Sequence, residues 1–282
     1  MSSNLSKGAI ELVKIVFTLI LVLIIFSVFI RLFENSFIYF PAKYPDGFWQ
    51  TETFGLKVED CYFTTADGVR LHGWLLTNEN AVATLLWCHG NAGNIAGRLD
   101  NLAKLKALPV NVFLFDYRGY GKSEGQPNEK GVYRDAVAAY DYLVSRPNID
   151  PDTIIPFGRS LGGAVAVDLA TKRACAGLIL ESTFTTAKDM AKSAFGPIPV
   201  HWFIKTEFNS IEKIGQIRVP LLVLHGTEDT TVPFKLGRQL FEAANNPKEF
   251  YEIQGADHNN TYFRGGKDYF HKFEKFITRA VR

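Results

Sequence analysis

The first strong pattern along the chain is an uncharged run from Ile15 to Ile30, in which only Thr18 and Ser27 are polar. The run is somewhat short for a bilayer core of about 30 Å, but apolar residues on both sides extend it. A helix packed on a protein surface would carry a polar stripe, and no small-residue cleavage site follows the run. We therefore predict an uncleaved single-pass membrane helix, with a cleaved signal peptide or a buried core helix as the alternatives.

The charges beside this run say little about orientation. Lys7 and Lys14 precede it, and Arg31 and Lys43 follow it, which is close to a tie under the positive-inside rule. A short N-terminal tail kept in the cytoplasm would place the rest of the chain outside it. The expectation is a single-pass membrane protein whose main domain faces away from the cytoplasm.

After the run, the pattern changes to alternating strands and helices. An antiparallel hairpin is predicted at about 58–65 and 69–76, because Ala66-Asp67-Gly68 is a turn signal. Further apolar strands are predicted at 81–88, 110–115, 153–157, 177–180, 219–224 and 249–253. Helices are predicted between and after them at 94–106, 129–145, 160–172, 234–244 and 267–279. This alternation predicts the α/β class, with a mostly parallel sheet flanked by helices on both faces.

The same pattern divides the chain into three parts. Residues 1–34 form a tail and membrane anchor, and residues 35–57 form an aromatic-rich connector. The rings of the connector lie at the membrane interface or pack on the domain, and the sequence leaves both open. Residues 58–282 form one domain, interrupted at about 183–216 by short helices that are broken at Gly196-Pro197-Ile198-Pro199 and make a short cap.

Composition narrows the function classes. The 282 residues suit one large α/β domain with a small addition, and the net charge is +2 without a basic stripe, so no nucleic-acid partner is predicted. The three cysteines are widely spaced and form neither a metal-ligand pair nor a disulfide framework. A metal site built from His89, His225 and His258 is disfavoured because their spacing is not that of metal ligands. No metal and no cofactor is predicted.

One motif organises the candidate chemistry. Gly158-Arg159-Ser160-Leu161-Gly162 follows a short strand and opens a helix of small residues, as in the Gly-x-Ser-x-Gly nucleophile elbow. The sequence Gly121-Lys122-Ser123-Glu124-Gly125 also matches, but Pro127 follows it and no helix begins beside it. We predict Ser160 as the nucleophile and Ser123 as a loop residue.

A serine nucleophile needs a base, and the base needs an orienting acid. On sheets of this kind the chain order is serine, then acid, then histidine. Asp229 and His258 lie in loops that follow the two last predicted strands, so both should open at the edge where Ser160 lies. Three other carboxylates are rival acids with expected structural or solvated roles, namely Glu181, Glu228 and Asp257.

The stabilising donors for an oxyanion are predicted on the backbone. They are the N–H of Leu161, at the start of a helix, and the N–H of Asn91, in the loop 89–94. The same loop is also typical of an ordinary turn with Asn94 as a helix N-cap, and the two interpretations are compatible. Asp116 and Arg118 are expected to hold the neighbouring loop in shape.

Taken together, five segments in this order resemble the α/β-hydrolase superfamily, most closely its membrane-anchored serine hydrolases with a short cap. They are His-Gly-Asn-Ala-Gly-Asn at 89–94, Asp-Tyr-Arg-Gly-Tyr-Gly-Lys-Ser at 116–123, Gly-Arg-Ser-Leu-Gly-Gly at 158–163, His-Gly-Thr-Glu-Asp at 225–229 and Gly-Ala-Asp-His at 255–258. The resemblance spans about residues 58–280 and implies an α/β-hydrolase fold with a Ser-His-Asp triad. Such proteins include acyl-protein thioesterases, monoacylglycerol lipases and other carboxylesterases, and the resemblance implies only that range.

The predicted function is hydrolysis of an ester or thioester of a small-molecule or lipid-like acyl substrate through an acyl-enzyme. Five apolar cap residues either line an acyl pocket, in a fairly open site, or pack the cap on the domain: Phe195, Pro197, Ile198, Trp202 and Phe203. The alternatives are a serine peptidase of the same fold and a non-catalytic binding protein. A binding protein would often have lost a triad member, and all three are present.

Overall fold

A long N-terminal helix precedes the domain. The structure, a computed structural model, describes residues 7–282, and the polar tail at 1–6 lies outside the described residues. Helix α1 spans Lys7–Ile38, and its side chains from residue 8 to residue 25 are largely exposed. It is long and apolar enough to cross a membrane. The helix extends past the predicted boundary at residue 34 to Ile38 and so takes in the start of the connector.

The strands of the described chain form one large sheet and one small one. In chain order they are β1 (Phe40–Pro41), β2 (Glu59–Thr64), β3 (Arg70–Leu76), β4 (Ala83–Cys88), β5 (Ala92–Gly93), β6 (Val110–Asp116), β7 (Ile154–Arg159), β8 (Leu178–Glu181), β9 (Leu221–Gly226) and β10 (Lys248–Ile253). The large sheet has the order β10-β9-β8-β7-β4-β6-β3-β2. Only β3 pairs antiparallel with its two neighbours, so the predicted hairpin and the mostly parallel sheet are confirmed.

The remaining helices lie on the two faces of this sheet or in the cap. They are α2 (Leu99–Leu105), α3 (Glu129–Val144), α4 (Leu161–Ala170), α5 (Ala187–Phe195), α6 (Ser210–Ile214), α7 (Phe234–Ala243) and α8 (Thr261–Ala280). Two predicted helices differ: α2 is preceded by a 3-10 turn, and α8 begins six residues before the predicted 267 and is kinked at Gly266. α5, α6 and a 3-10 turn at Val200–Trp202 form the short cap, as the broken pattern predicted.

The core lies on both faces of the sheet, because side chains along a strand alternate. On β4, Leu86 faces the layer of α3, α4 and α7, and Trp87 faces the layer of α2 and α8. Every residue of β4 is buried, as expected for a parallel strand covered on both sides.

The aromatic connector packs on the domain in part. β1 pairs in parallel with β5, and the Trp49 ring meets the buried Trp74 ring edge-on at 5.3 Å between centroids. Tyr39 is buried, whereas Phe40, Tyr44 and Phe48 are exposed. The connector thereby joins the end of α1 to the loop that holds Asn91, just before β5.

The loop after β6 is fixed by a buried arginine. The Arg118 side chain donates to Asp135 on α3 at 2.9 Å and to Asp67, in the β2–β3 turn, at 2.9 Å. Burial raises the pKa of the Asp135 carboxyl to about 6, even though the arginine pulls in the other direction. Asp116 accepts the N–H of Ile95 at 3.0 Å. The prediction that Asp116 and Arg118 shape this loop is consistent with these contacts.

Replacing Arg118 with alanine should destabilise the protein by about 3 kcal/mol, because breaking a buried ion pair leaves an uncompensated carboxylate behind. Arg134→Ala is the matched control: Arg134 also pairs with Asp67 at 2.9 Å, but its side chain is 55% exposed. Removing that surface partner should cost about 0.5 kcal/mol or less. Urea unfolding of the two variants measures both losses, and equal losses would contradict the role of burial.

Candidate active site

Ser160 occupies the sharp turn between β7 and α4. Its backbone has φ of 54° and ψ of −121°, a region that residues other than glycine rarely adopt. Three hydrogen bonds hold it there. Its N–H donates to the Glu181 carbonyl at 2.9 Å, and its own carbonyl accepts from the Gly163 N–H and the Thr183 hydroxyl, both at 2.9 Å.

The small residues around Ser160 are required by close approach between elements. A Cβ at Gly162 would overlap the Cys88 carbonyl oxygen at the end of β4, and one at Gly158 would overlap the Gly162 carbonyl oxygen. A side chain at Gly163 would overlap Thr183. The glycines thus let α4 begin directly against the central strands, which places Ser160 at the carboxyl edge of the sheet.

The predicted acid and base meet in space. His258, in the loop after β10, lies with its Nδ1 2.8 Å and 3.1 Å from the two carboxylate oxygens of Asp229, in the loop after β9. Asp229 also accepts the backbone N–H groups of Thr231 at 3.0 Å and Val232 at 2.7 Å. This pairing occupies Nδ1 and leaves Nε2 as the nitrogen available to a nucleophile.

The environment of Asp229 keeps it ionised. Burial pushes the pKa of its carboxyl upward, but hydrogen bonds from His225, His258 and the Val232 N–H outweigh burial and hold the pKa well below its usual range. His225 is itself fully buried, with its Nε2 3.4 Å from an Asp229 oxygen and 2.9 Å from the Val232 carbonyl. A negative Asp229 is what an imidazole base needs beside it.

The rival carboxylates are placed differently. Glu181 is buried at the end of β8, where it accepts the hydroxyl groups of Thr261 and Tyr269 and lies 3.4 Å from the Arg159 guanidinium. Asp257 accepts the backbone N–H and hydroxyl of Thr230, and Glu228 is exposed. Among these carboxylates, Asp229 is the one that is hydrogen-bonded to the His258 ring.

Ser160 opens into an apolar cavity of about 300 Å³. Leu161 and Asn91 also line it, as do Thr231 and Val232 from the Asp229 loop, so the predicted oxyanion residues and the acid loop converge on one space. Asn91 is fixed on two sides, because its carbonyl accepts the Tyr120 hydroxyl at 2.7 Å and its side-chain amide donates to the Ile38 carbonyl at 2.8 Å.

The cap contributes to this cavity through residues other than most of those predicted. Of the five, Phe195 lines the cavity, but Pro197, Ile198 and Trp202 are exposed and Phe203 packs edge-on against Phe26 of α1. The cavity is closed instead by apolar residues of the cap and of the segment before it: Phe184, Ala187, Met190, Ala191, Ala194, Val200, Ile204 and Phe208. A fairly open site was expected, but the end of α1 partly covers it.

Two contributors were missed by the sequence analysis. Arg159 donates to the His258 carbonyl and to the Asn259 side chain at 3.3 Å, so it joins the strand of Ser160 to the loop of His258. The sequence signal that could have found Arg159 is a cationic residue at the end of a buried strand, directly before the candidate nucleophile. Ile30 and Glu34 of α1 line the cavity, and the only hint was a lone carboxylate just beyond the apolar run.

Comparison with known proteins identifies the family of this chain. The α/β hydrolase domain-containing protein WAV2 of Arabidopsis thaliana is 37% identical over 247 residues, which cover 79% of this chain and 80% of the relative. The α/β hydrolase domain-containing protein 17B of Xenopus tropicalis is 34% identical over 237 residues, covering 83% and 80%. The chain belongs to the α/β-hydrolase family.

Solved α/β hydrolases share the fold. An esterase of Pyrococcus furiosus superposes with a TM-score of 0.73 at 22% identity, covering 86% of this chain and all of that chain. The family model described as serine aminopeptidase, S33, matches residues 79–211 of this α/β hydrolase. That range holds β4, the elbow and most of the cap, and it ends before the loops of Asp229 and His258.

Replacing Gly162 with alanine should destabilise the protein by about 1–3 kcal/mol, because the added methyl group has to displace the end of β4. Gly97→Ala is the control, since Gly97 is exposed and an added Cβ there meets no atom within 4 Å. Thermal unfolding of both variants gives the difference. A Gly162→Ala protein as stable as Gly97→Ala would show that the close approach is absent.

Asp229 should contribute stability that depends on pH. Because its pKa is lowered in the folded protein, the contribution is complete above the unfolded value of about 3.9 and is lost as pH falls towards the folded value. The stability gap between wild type and Asp229→Asn should therefore be widest near neutral pH and shrink below pH 4. Urea unfolding across this range measures it, with exposed Glu228→Gln as the control for a gap that stays small. A gap independent of pH would contradict a lowered pKa.

Proposed function

We propose that this protein is a membrane-anchored serine hydrolase that cleaves carboxylic ester or thioester bonds through Ser160, His258 and Asp229. The observation that carries the proposal is the Asp229–His258 pair, 2.8 Å apart, beside the apolar cavity that Ser160 lines. A negative acid, an oriented imidazole and a serine held on a strained turn are the parts that acyl transfer needs.

The reaction follows from these roles. His258 Nε2 takes the hydroxyl proton as Ser160 Oγ attacks the acyl carbon, and the N–H groups of Leu161 and Asn91 stabilise the oxyanion. The tetrahedral intermediate collapses, the bond to the leaving oxygen or sulfur breaks, and the imidazolium protonates that alcohol or thiol. Water, deprotonated by the same imidazole, then attacks the acyl-enzyme and releases the carboxylic acid and free Ser160.

The anchor is the second part of the proposal. Helix α1 has 32 residues and is therefore about 48 Å long, which exceeds the roughly 30 Å of a bilayer core. From residue 15 to residue 25 its exposed side chains are uncharged and nearly all apolar, which is what a lipid-facing helix needs. We place the uncharged part of α1, from residue 15, in the membrane and keep the expectation of a domain facing away from the cytoplasm.

A serine peptidase is the second candidate, favoured by the description of the matching family model. An aminopeptidase needs a carboxylate to bind the substrate's ammonium group. Among the described residues that line the cavity, Glu34 is the one carboxylate, and its oxygens already accept the N–H groups of Lys205 and Thr206. The apolar lining therefore favours an acyl chain over a charged peptide terminus.

A fluorophosphonate probe should label the wild-type protein, and Ser160→Ala should lose labelling and lose about a thousandfold or more of its p-nitrophenyl ester hydrolysis. Ser123→Ala is the matched control, because Ser123 lies in the same sequence pattern but its hydroxyl donates to the Asp116 carbonyl and accepts the His72 N–H. It should retain both properties.

Equal labelling of wild type and Ser160→Ala would remove Ser160 from its proposed role. An aminoacyl p-nitroanilide cleaved faster than every p-nitrophenyl ester would favour the peptidase. Specific labelling without turnover of any ester, thioester or amide would favour a binding protein.

A further inference from the structure

The end of α1 forms one wall of the cavity at Ser160. Ile30, Glu34 and Ile38 lie four residues apart on one helix face, and all three line the cavity. Ile30 and Glu34 are buried, in contrast to the exposed side chains of the helix before Phe26. The same helix therefore carries a lipid-like exposed surface at one end and a pocket wall at the other.

This wall is fastened to the cap by a buried carboxylate. Glu34 accepts the Lys205 N–H at 2.9 Å, the Thr206 N–H at 2.6 Å and the Thr206 hydroxyl. About two turns before Glu34, the Phe26 ring meets Phe203 edge-on with centroids 5.5 Å apart. Since a buried charge is costly unless its acceptors are satisfied, these bonds fix α1 against the segment 203–206.

The space between α1 and the cap suits an aliphatic chain. The side chains that line this space are nearly all apolar, and Ser160 and Leu161 lie at the end where the proposed reaction takes place. Glu34 is a polar group on the wall, and its oxygens are already used by the cap. A volume of about 300 Å³ is at the lower end of the range for ligand pockets.

The cap exposes apolar side chains close to where α1 leaves it. Phe195 is 44% exposed, Ile198 52% and Trp202 73%. Exposed apolar clusters mark interaction sites, and tryptophan is enriched at membrane interfaces. Because Phe203 is held against Phe26, this exposed turn of the cap lies beside the lipid-facing part of α1.

We propose that the acyl chain of a membrane-resident ester or thioester binds between α1 and the cap, reaching Ser160 from the bilayer along α1. Ile30 is then a specificity-determining residue, and the anchor is part of the substrate site. This inference rests on the proposed hydrolase function and adds to it the substrate class and the route of the chain.

The test uses the full chain in phosphatidylcholine vesicles with two fluorophosphonate probes, one carrying a hexadecyl chain and one an ethyl group. Ile30→Trp fills the cavity, so the hexadecyl labelling rate should fall about tenfold or more, the scale that one misfitting group costs in an apolar pocket. The ethyl labelling rate should fall much less, so the ratio of the hexadecyl rate to the ethyl rate should drop. Leu32→Trp is the control, because Leu32 is 73% exposed on another face of α1 and should change neither rate.

The outcomes separate the two proposals. Absence of labelling by both probes in the wild type would overturn the hydrolase itself. Ethyl labelling with an unchanged ratio of hexadecyl to ethyl rates in Ile30→Trp would overturn the inference alone. If Ile30→Trp loses both probes, Ile30→Ala decides: a lowered ratio, from lost contact with the chain, supports the inference, and an unchanged ratio overturns it.

Competition identifies what carries the chain. Monopalmitoylglycerol and an S-palmitoyl peptide are added to the same vesicles before the hexadecyl probe. Protection by either supports an acyl site, and the stronger competitor names the head group. Protection by neither overturns the inference, since both present the same chain from the same membrane.

Discussion

The strained backbone at Ser160 is the constraint on which the rest of the site depends. Such a conformation costs on the order of 1–3 kcal/mol and persists only where neighbouring structure over-determines it. Here Gly162, in the first turn of α4, lies against the carbonyl of Cys88, and β8 supplies an acceptor for the Ser160 N–H. The turn is therefore set by the pairing of β7 with β4 and β8, not by the loop itself. Mutations in these central strands would act on Ser160 through its backbone.

Asp229 and His258 reach the same edge because β9 and β10 continue the parallel sheet beyond β8. Parallel strands end on one side, so loops far apart in sequence open together. Arg159 adds a direct link, since it contacts the His258 carbonyl and pairs with the buried Glu181. A buried cation with a buried partner costs desolvation, which its hydrogen bonds offset. The polar groups behind the site thus position the loops, while the cavity in front of them stays apolar.

Much of this could be predicted from the sequence because the signals were local. Continuous apolar runs gave the parallel strands, and the glycines around Ser160 gave the turn. The order of Ser160, Asp229 and His258 in the chain predicted that their three loops open at one edge of the sheet. What failed depended on distant contacts. The hydrogen-bond donors to Glu34 lie about 170 residues later in the chain, and the sequence around Glu34 does not indicate them. In the cap, the apolar character of a residue does not indicate whether its side chain faces the cavity. For this reason the pattern predicted the exposed Ile198 and Trp202 as possible pocket residues together with Phe195.

The bond between Glu34 and the cap has a practical consequence. A protein shortened to its sheet and helices, without residues 1–38, would leave the N–H groups of Lys205 and Thr206 without their acceptor. It would also uncover the apolar side chains that Ile30 and Ile38 shield. Such a truncated domain would retain the hydrogen bonds between Asp229 and His258. The cavity at Ser160, however, would be open to solvent on the side that α1 covers in the full chain. Substrate preferences measured on the truncated domain would then be those of the open cavity and not those of the intact protein.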